Sequence, residues 1–267
     1  MLLQWQNLKI FGLGYNIIYI INDKTRTIPL ADLEIGSRVV DPSWLWQFKT
    51  GANYSYIEGD ITKPVVWIVV AKDHFDNMEP HVALLSQELI GKIAFDKSTN
   101  RGSRYGSNHW GESGTTNAAH GLRPWINSTG IHNSEGFYLA FSENFKEAVI
   151  VTALPNKEWE NGNAYITNDK VFLPSTAELG DRSNNYTYSI GSAYTYFSGT
   201  DNAKRAALLG SETLWYWTRS PVSYSGYRVR IVYGGGVFNY DSAYRALNGV
   251  RPAVNLKSDT MVYKLTS

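Results

Sequence analysis

The chain has 267 residues, a formal net charge of +1, 18% charged residues and no cysteine. This near-neutral charge offers no electrostatic footprint for nucleic acid or for an anionic membrane. The lack of cysteine excludes disulfides, thiolate metal sites and cysteine nucleophiles. Aromatic residues make up 14% of the chain, a high share carried by 18 Tyr, 10 Phe and 9 Trp, so the sequence must place many large rings.

The N-terminal segment carries an apolar run from Ile10 to Ile21 that two glycines and an asparagine interrupt. A membrane-spanning helix needs about 20 apolar residues, and a secretory signal begins with a basic region. We therefore expect no membrane span and no signal peptide, and localisation stays open, the cytoplasm included. Residues 1–27 are predicted to form an N-terminal extension packed on one domain, residues 28–267.

The first half of this domain shows one clear strand. Residues 64–74 are β-branched and apolar at consecutive positions, which predicts a strand buried on both faces. Residues 81–95 predict the start of a strand followed by a short amphipathic helix. Residues 96–121 are rich in Gly, Ser, Asn and Thr and predict a long ordered loop, and residues 122–130 predict a short helix.

The clearest helix is predicted at residues 135–150. Its large apolar side chains recur every four residues and so share one helical face: Phe137, Phe141, Phe145 and Val149. Residues 170–181 predict a strand, a Pro-Ser-Thr turn with an N-cap, and one helical turn ended by Gly180. Residues 213–221 and 250–256 predict two further strands.

Motifs of the common enzyme classes do not occur in the sequence. The five histidines form no HExxH pair, and there is no GxSxG, phosphate-binding loop or EF-hand loop. A metal site from His109, Glu112 and His120 is an alternative to plain hydrogen bonding within the long loop. Five carboxylates lie close enough together in sequence to suggest acid–base chemistry: Glu158, Glu160, Asp169, Glu178 and Asp181. The alternative is that they lie on a solvated face, as such neighbouring carboxylates more often do.

One segment, residues 223–247, differs from the rest in composition. It contains five Tyr, four Gly, three Ser and three Arg, with no Lys and no Glu. Tyr supplies large amphipathic contact area at low entropic cost, Ser and Gly adapt to a partner, and Arg and aromatic residues dominate binding hot spots. The composition is typical of a binding face. Its three glycines at 234–236 lack the lysine and helix of a phosphate loop and predict a hairpin turn.

The predicted contact residues all come from this segment: Tyr224, Ser225, Tyr227, Arg228, Arg230, Tyr233, Phe238, Asn239, Tyr240, Asp241, Tyr244 and Arg245. Side chains alternate between the two faces of a strand, so part of the segment must face inward. The candidates for that inward set are Val229, Ile231 and Val237.

A buried framework is expected beneath the binding face. Trp215 and Trp217 lie two residues apart, which on a strand sends both rings to one face as core anchors. The other framework candidates are Trp67, Trp125, Arg219 and Arg251. We expect the two arginines to pair with buried carbonyls or a carboxylate.

Six motifs occur in the order shown by a known family. They are LLS (84–86), GLRPWINSTG (121–130), GFYLAFSENFKEAV (136–149), VFLPSTAELGD (171–181), WYWTRSP (215–221) and GVRPAVNL (249–256). Over residues 28–257 the chain resembles a domain family of formally unknown function found in clostridia and phages, itself similar to the C-type-lectin fold in its formylglycine-generating-enzyme-like version. The resemblance implies an α+β fold with sparse regular structure, antiparallel strands, two main short helices and long ordered loops.

Some members of that family are the variable proteins of diversity-generating retroelements, in which a mutagenic reverse transcriptase rewrites codons near the gene's 3′ end. Randomised AAY codons cannot become codons for Lys, Glu, Gln, Met or Trp. None of these types occurs from Thr218 to Gly249, where their share of the chain would give about five. The alternative is a pair of Gly- and Tyr-rich strands with no such genetic history.

The resemblance implies a non-enzymatic protein without a cofactor, whose variable region at about 215–250 binds a protein or cell-surface ligand. It also implies that the protein itself is located on a virion or cell surface. Three other functions stay open. A metal-dependent oxidase of the formylglycine-generating or sulfoxide-synthase type shares the implied fold, but the first uses cysteine-bound copper and the second a histidine-rich iron site. A calcium-dependent sugar lectin would carry Glu-Pro-Asn and Trp-Asn-Asp signatures, which do not occur. A structural component of a phage or cell wall is the third.

Overall fold

The fold is an α+β arrangement of short, mostly antiparallel strands with a few short helices. The computed structural model describes residues 17–19, 27–48, 61–96, 105–112, 121–129, 136–181, 191–199 and 201–264. The α-helices are α1 (Leu122–Ile126), α2 (Glu143–Ala148) and α3 (Asn202–Arg205), and 3-10 turns occupy Leu30–Asp32, Trp110–Glu112, Tyr138–Ala140 and Thr195–Phe197.

The strands fall into one large sheet and four small ones. Those of the first half are β1 (Ile17–Tyr19), β2 (Thr27–Pro29), β3 (Arg38–Val40), β4 (Trp46–Phe48), β5 (Ile61–Lys63), β6 (Val66–Lys72), β7 (His81–Ser86), β8 (Val149–Ile150) and β9 (Thr152–Lys157). Those of the second half are β10 (Ala164–Asp169), β11 (Val171–Phe172), β12 (Leu208–Leu209), β13 (Glu212–Thr213), β14 (Tyr216–Val222), β15 (Ser225–Val232), β16 (Phe238–Ser242), β17 (Ala253–Lys257) and β18 (Met261–Lys264).

The large sheet has nine strands in the order β11-β17-β7-β6-β3-β1-β18-β2, with β8 also paired to β17. Its pairs are antiparallel except for the parallel pair β1–β3. At its middle, β7 is buried at every position and β6 at all but its first and last. A continuous apolar strand of this kind requires cover on both faces, as the sequence of residues 64–74 predicted.

The helix predicted over residues 135–150 is wrong in its extent. A 3-10 turn at Tyr138–Ala140 ends at Phe141, and the helix restarts at α2 because the Ser142 hydroxyl accepts a hydrogen bond from the backbone N–H of Phe145, 3.1 Å away. In a continuous helix the Phe145 N–H would bond to the carbonyl four residues earlier. Here the Ser142 hydroxyl takes that place, so a new helix can begin at this point. Val149 then begins strand β8.

The period of four nevertheless had a physical basis. Phe137, Phe141 and Phe145 all turn inward and contact Trp67, with ring centroids 6.1, 6.2 and 5.8 Å from the indole. Trp44 packs against the same three rings. Aromatic pairs at these distances add to the burial of apolar area, so this cluster anchors α2 to the large sheet.

The helix predicted in the second half of residues 81–95 is also wrong. After β7 the backbone N–H groups bond to distant strands and loops: Leu89 to Leu208, Ile90 to Val250 and Ile93 to Asn248. These long-range bonds replace the local bonds of a helix, and the apolar side chains are buried in an irregular segment. The short helix predicted at 122–130 is confirmed over Leu122–Ile126, where it forms α1 and ends with Asn127 as its C-cap. Of the loop predicted at 96–121, residues 97–104 and 113–120 lie outside the described residues.

The N-cap predicted in residues 170–181 is confirmed. Ser175 and Glu178 cap each other, because the Ser175 hydroxyl accepts from the Glu178 N–H at 3.1 Å while the Glu178 carboxylate accepts from the Ser175 N–H at 2.8 Å. The chain forms a turn rather than a regular helix before Gly180, whose φ of +82° is the left-handed conformation that favours glycine. The turn places Glu178 next to Arg219 of β14 and Asp181 next to Arg230 of β15.

Candidate ligand-binding surface

Residues 216–242 form a separate antiparallel sheet in the order β14-β15-β16. Ser223 and Tyr224 make the tight turn between β14 and β15, since Val222 pairs with Ser225. The glycines 234–236 make the turn between β15 and β16, as predicted. There Gly236 has a φ of +82°, and a β-carbon on it would lie 1.8 Å from the Asn202 carbonyl oxygen, so only glycine fits.

The inner face of this sheet is anchored in the core. Trp217 lies opposite Ile231, both are fully buried together with Val229, and the Trp217 indole N–H donates to the Ile93 carbonyl at 2.8 Å. The inward position predicted for Val237 is wrong, since this side chain is 53% exposed. Val237 lies in the turn before β16 begins, where the alternation of a strand does not apply.

The expectation that Trp215 and Trp217 share a buried face is wrong for Trp215. Strand β14 begins only at Tyr216, so Trp215 precedes the alternating positions. Its ring is 36% exposed and packs against Tyr233 with centroids 4.3 Å apart. Trp215 is therefore a surface residue next to a predicted contact residue, and sequence reasoning missed it because the strand start was placed too early.

Ten of the twelve predicted contact residues have side chains at least partly open to solvent. Those that are exposed are Tyr224, Tyr233, Asn239, Tyr240, Tyr244 and Arg245, and those that are half-buried are Tyr227, Arg228, Phe238 and Asp241. The four exposed tyrosines are 39–47% accessible. The sheet, its turns and the residues just after β16 thus leave most of the predicted set open to solvent.

Ser225 and Arg230 are corrections to that set, since both are buried. Arg230 lies 3.6 Å from the Asp181 carboxylate, and its burial lowers the pKa of the guanidinium. Ser225 starts β15, where its carbonyl accepts from the Asn108 side-chain amide at 2.6 Å. Both residues hold the sheet to neighbouring segments instead of facing solvent.

The exposed residues form three groups. Tyr224 and Tyr240 meet edge to face with centroids 6.3 Å apart, and the Arg228 guanidinium lies 4.8 Å from the centre of the Tyr240 ring. Tyr227 and Tyr244 both pack against Tyr105, with ring centroids 5.0 and 5.4 Å from its centre.

The third group is the pair of Trp215 and Tyr233, whose rings are tilted by 30° to each other. Besides these groups, Arg245 pairs with Asp241 at 3.3 Å. Rings that support one another in this way are held in place before any ligand arrives.

Two buried arginines secure the sheet from below. Arg219 makes a two-pronged ion pair with Glu178 and also donates to the Leu173 carbonyl at 2.8 Å. Burial by itself would lower the pKa of Arg219. The charge of the Glu178 carboxylate and its hydrogen bond lead the contacts that outweigh burial, so the pKa of Arg219 is raised. Arg251 donates to the Ser86 and Arg205 carbonyls at 3.0 and 2.9 Å. The predicted pairing of both arginines with carbonyls or a carboxylate is confirmed.

The carboxylates considered for acid–base chemistry have structural partners. Asp169 accepts from the Trp110 indole at 3.0 Å and pairs with Arg123 at 2.7 Å. Asp169 and Glu178 are buried, so the solvated face expected for this group is wrong for these two. Glu160 is exposed, and Glu158 lies 3.9 Å from His109.

Two of the three residues in the metal alternative, His109 and Glu112, lie within the described ranges. Within the described residues, no three His, Asp or Glu side chains come together as a metal site. His109 stacks on the Tyr165 ring at 4.1 Å, and His120 lies outside the described ranges. No helix in the part of the chain that is described has the length and apolar character needed to cross a membrane.

The polar cavity beside Arg219 is small. Its lining includes Asn156, Ser175 and Ser220, and its volume is about 10 Å³, enough for a single water molecule. An organic substrate does not fit there.

Residues 80–258 match the family described as Domain of unknown function (DUF6273). No curated protein and no solved structure gives a significant match to the chain. The matched region runs from the start of β7 to just beyond β17 and includes the whole β14-β15-β16 sheet. Because it spans more than half of the sequence, the chain belongs to the DUF6273 family.

Proposed function

We propose that the chain is a non-enzymatic ligand-binding protein of the C-type-lectin fold, whose β14-β15-β16 sheet displays a tyrosine- and arginine-rich surface to a protein ligand on a cell or virion. In this proposal the variable region at about 215–250 is diversified by a retroelement. The surface would carry specificity, and the buried framework beneath it would stay constant.

The observation that carries the proposal is the group of tyrosine rings around Arg228. The Arg228 guanidinium lies 4.8–5.8 Å from the centres of the Tyr224, Tyr227 and Tyr240 rings. Tyr227 packs against Tyr105, which also contacts Tyr244. The exposed members Tyr224, Tyr240 and Tyr244 are 39–47% accessible, whereas Tyr233 forms a separate pair with Trp215 beyond the other end of β15. Isolated exposed apolar residues are ordinary, but a contiguous aromatic surface is typical of an interaction site. Tyr and Arg are also enriched at the centres of protein interfaces, whereas Lys and Glu are depleted there.

The framework supports the same function energetically. Each rotamer-rich side chain that becomes ordered on binding costs about 0.5–1.5 kcal/mol. A sheet secured by Trp217, Arg219 and Arg251 and rings that already pack on one another reduce that cost. Since these contacts lie beneath the surface, the outer side chains can change without loss of the fold.

Panning of a random peptide library on the purified protein tests binding. We expect enriched peptides that bind the wild type and lose binding to a variant with Tyr224, Tyr240 and Tyr244 all replaced by Ala. The control replaces three exposed apolar residues elsewhere, Leu45, Leu139 and Val151. Both variants should melt within a few degrees of the wild type, and equal binding by the wild type and the tyrosine variant would contradict the proposal.

Diversification has a separate test in the DNA. A near-copy of the 3′ end that differs mainly at adenines, beside a reverse-transcriptase gene, is the expected arrangement. If the flanking DNA holds neither, the retroelement part of the proposal fails while the binding surface stands.

A further inference from the structure

Arg228 has an unusual setting for a surface arginine. Its guanidinium carbon lies 4.8 Å from the centre of the Tyr240 ring and 5.8 Å from the centres of the Tyr224 and Tyr227 rings. The Tyr224 and Tyr240 rings also contact each other edge to face, with centroids 6.3 Å apart. Three rings therefore surround the cation at the edge of the exposed sheet.

The charge of Arg228 is not neutralised by a neighbouring carboxylate of the described residues. The other two arginines of the segment differ in this respect, since Arg230 pairs with Asp181 and Arg245 pairs with Asp241. The contact with Tyr224 raises the pKa of Arg228, so the side chain is cationic at any physiological pH. Arg228 thus places an oriented positive charge on the tyrosine surface, without a carboxylate partner among the described residues.

The geometry points to a subsite, formed by Arg228, Tyr224 and Tyr240, that binds a single carboxylate of an acidic side chain on the protein ligand. The subsite rests on the proposed function and specifies it. A guanidinium offers its N–H groups in a planar fork that matches a carboxylate, and tyrosine hydroxyls can donate to the same oxygens.

A single carboxylate suits this surface better than a polyanion does. Sulfated glycans and nucleic acids are bound through rows of cations that track successive charges. Here the neighbouring cations Arg230 and Arg245 already have carboxylate partners. Of the three arginines in the segment, Arg228 is therefore the one without a carboxylate partner among the described residues. The surrounding rings supply contact area for an acidic residue within an apolar peptide surface.

Sequencing of the peptides enriched in the panning experiment tests this inference directly. We expect an excess of Asp and Glu over the unselected library on the wild type, and no excess on Arg228→Gln. Arg228→Lys keeps the charge without the fork and should keep part of the excess. The matched control is Lys170→Gln, which removes an exposed cation over another tyrosine ring, Tyr138, at 4.5 Å, and should leave the excess unchanged.

Synthetic twins of an enriched peptide give the magnitude. Replacing its acidic residue by the corresponding amide should weaken binding to the wild type by about tenfold, as expected for a hydrogen bond to a charged group. The same replacement should have almost no effect on binding to Arg228→Gln. An arginine with a purely structural role would not make the effect of the peptide's amide replacement depend on Arg228 in this way.

The outcomes separate the two proposals. Enriched peptides with no acidic excess, or with an excess that survives Arg228→Gln, overturn the subsite while the binding surface stands. A second result would also overturn the carboxylate subsite: the wild type binds dextran sulfate, Arg228→Gln does not, and the enriched peptides show no acidic excess. Arg228 would then bind a sulfated glycan. No enrichment on the wild type overturns the binding surface and the subsite together.

Discussion

The indole of Trp159 lies so close to Gly226 that a β-carbon on this glycine would be 2.8 Å from the ring. Trp159 belongs to the connection between β9 and β10, and Gly226 follows the turn that presents Tyr224. The β9–β10 hairpin therefore packs against the β14–β15 hairpin at this point, because glycine leaves room for the Trp159 ring. This contact links the exposed tyrosines to a second part of the fold.

Replacement of Gly226 by Ala should displace the Trp159 ring, because no real β-carbon tolerates such a distance. Overpacking of this kind costs about 1–3 kcal/mol, and we expect a loss of that size in denaturant unfolding with a change in tryptophan fluorescence. In a Trp159→Ala background the same Gly226→Ala change should cost much less, since the clashing ring is gone. Equal costs in the two backgrounds would show that the ring does not brace the turn.

The buried pair Arg219–Glu178 should be far more important for stability than a surface pair. Glu178→Gln leaves the shape nearly unchanged but strands a buried cation, which costs about 3–5 kcal/mol in such settings. Urea unfolding measures the loss.

The matched control for this substitution is Glu88→Gln, which breaks the partly exposed pair with Lys63 and should cost about 0–1 kcal/mol. A Glu178→Gln variant as stable as the Glu88→Gln variant would contradict the assigned role of the buried pair.

His74 should make the protein less stable in mild acid. Burial lowers the pKa of His74, and nearby Glu178 opposes the shift while Arg219 and His81 add to it. The native state therefore binds this proton less readily than the unfolded chain does. Its contribution to stability is present above the unfolded pKa of about 6.5 and is lost as the pH falls through the lower folded value.

Thermal melting of the wild type and His74→Asn over the range from neutral to mildly acidic pH checks this sign. We expect the melting temperature of the wild type to fall more steeply with acidification than that of the variant. Parallel curves for the two proteins would mean that His74 titrates alike in the native and unfolded states.

The sequence alone was enough for features that depend on neighbouring residues or on composition. Consecutive apolar residues at 64–74 predicted a strand that is buried on both faces, and three consecutive glycines predicted the turn into β16. The Tyr- and Arg-rich composition of residues 223–247 marked the candidate surface. These inferences hold because backbone geometry and burial preference act locally.

Other features depended on which distant segments meet. Residues 87–95 form no helix because carbonyls such as those of Leu208 and Val250 accept hydrogen bonds from their N–H groups. The spacing of apolar residues within the segment does not reveal these distant partners. Trp215 and Trp217 differ in exposure because β14 begins between them, and Arg228 differs from Arg230 because only the latter lies against Asp181. Charge compensation and burial are properties of contacts, and long-range contacts form only when the chain is folded.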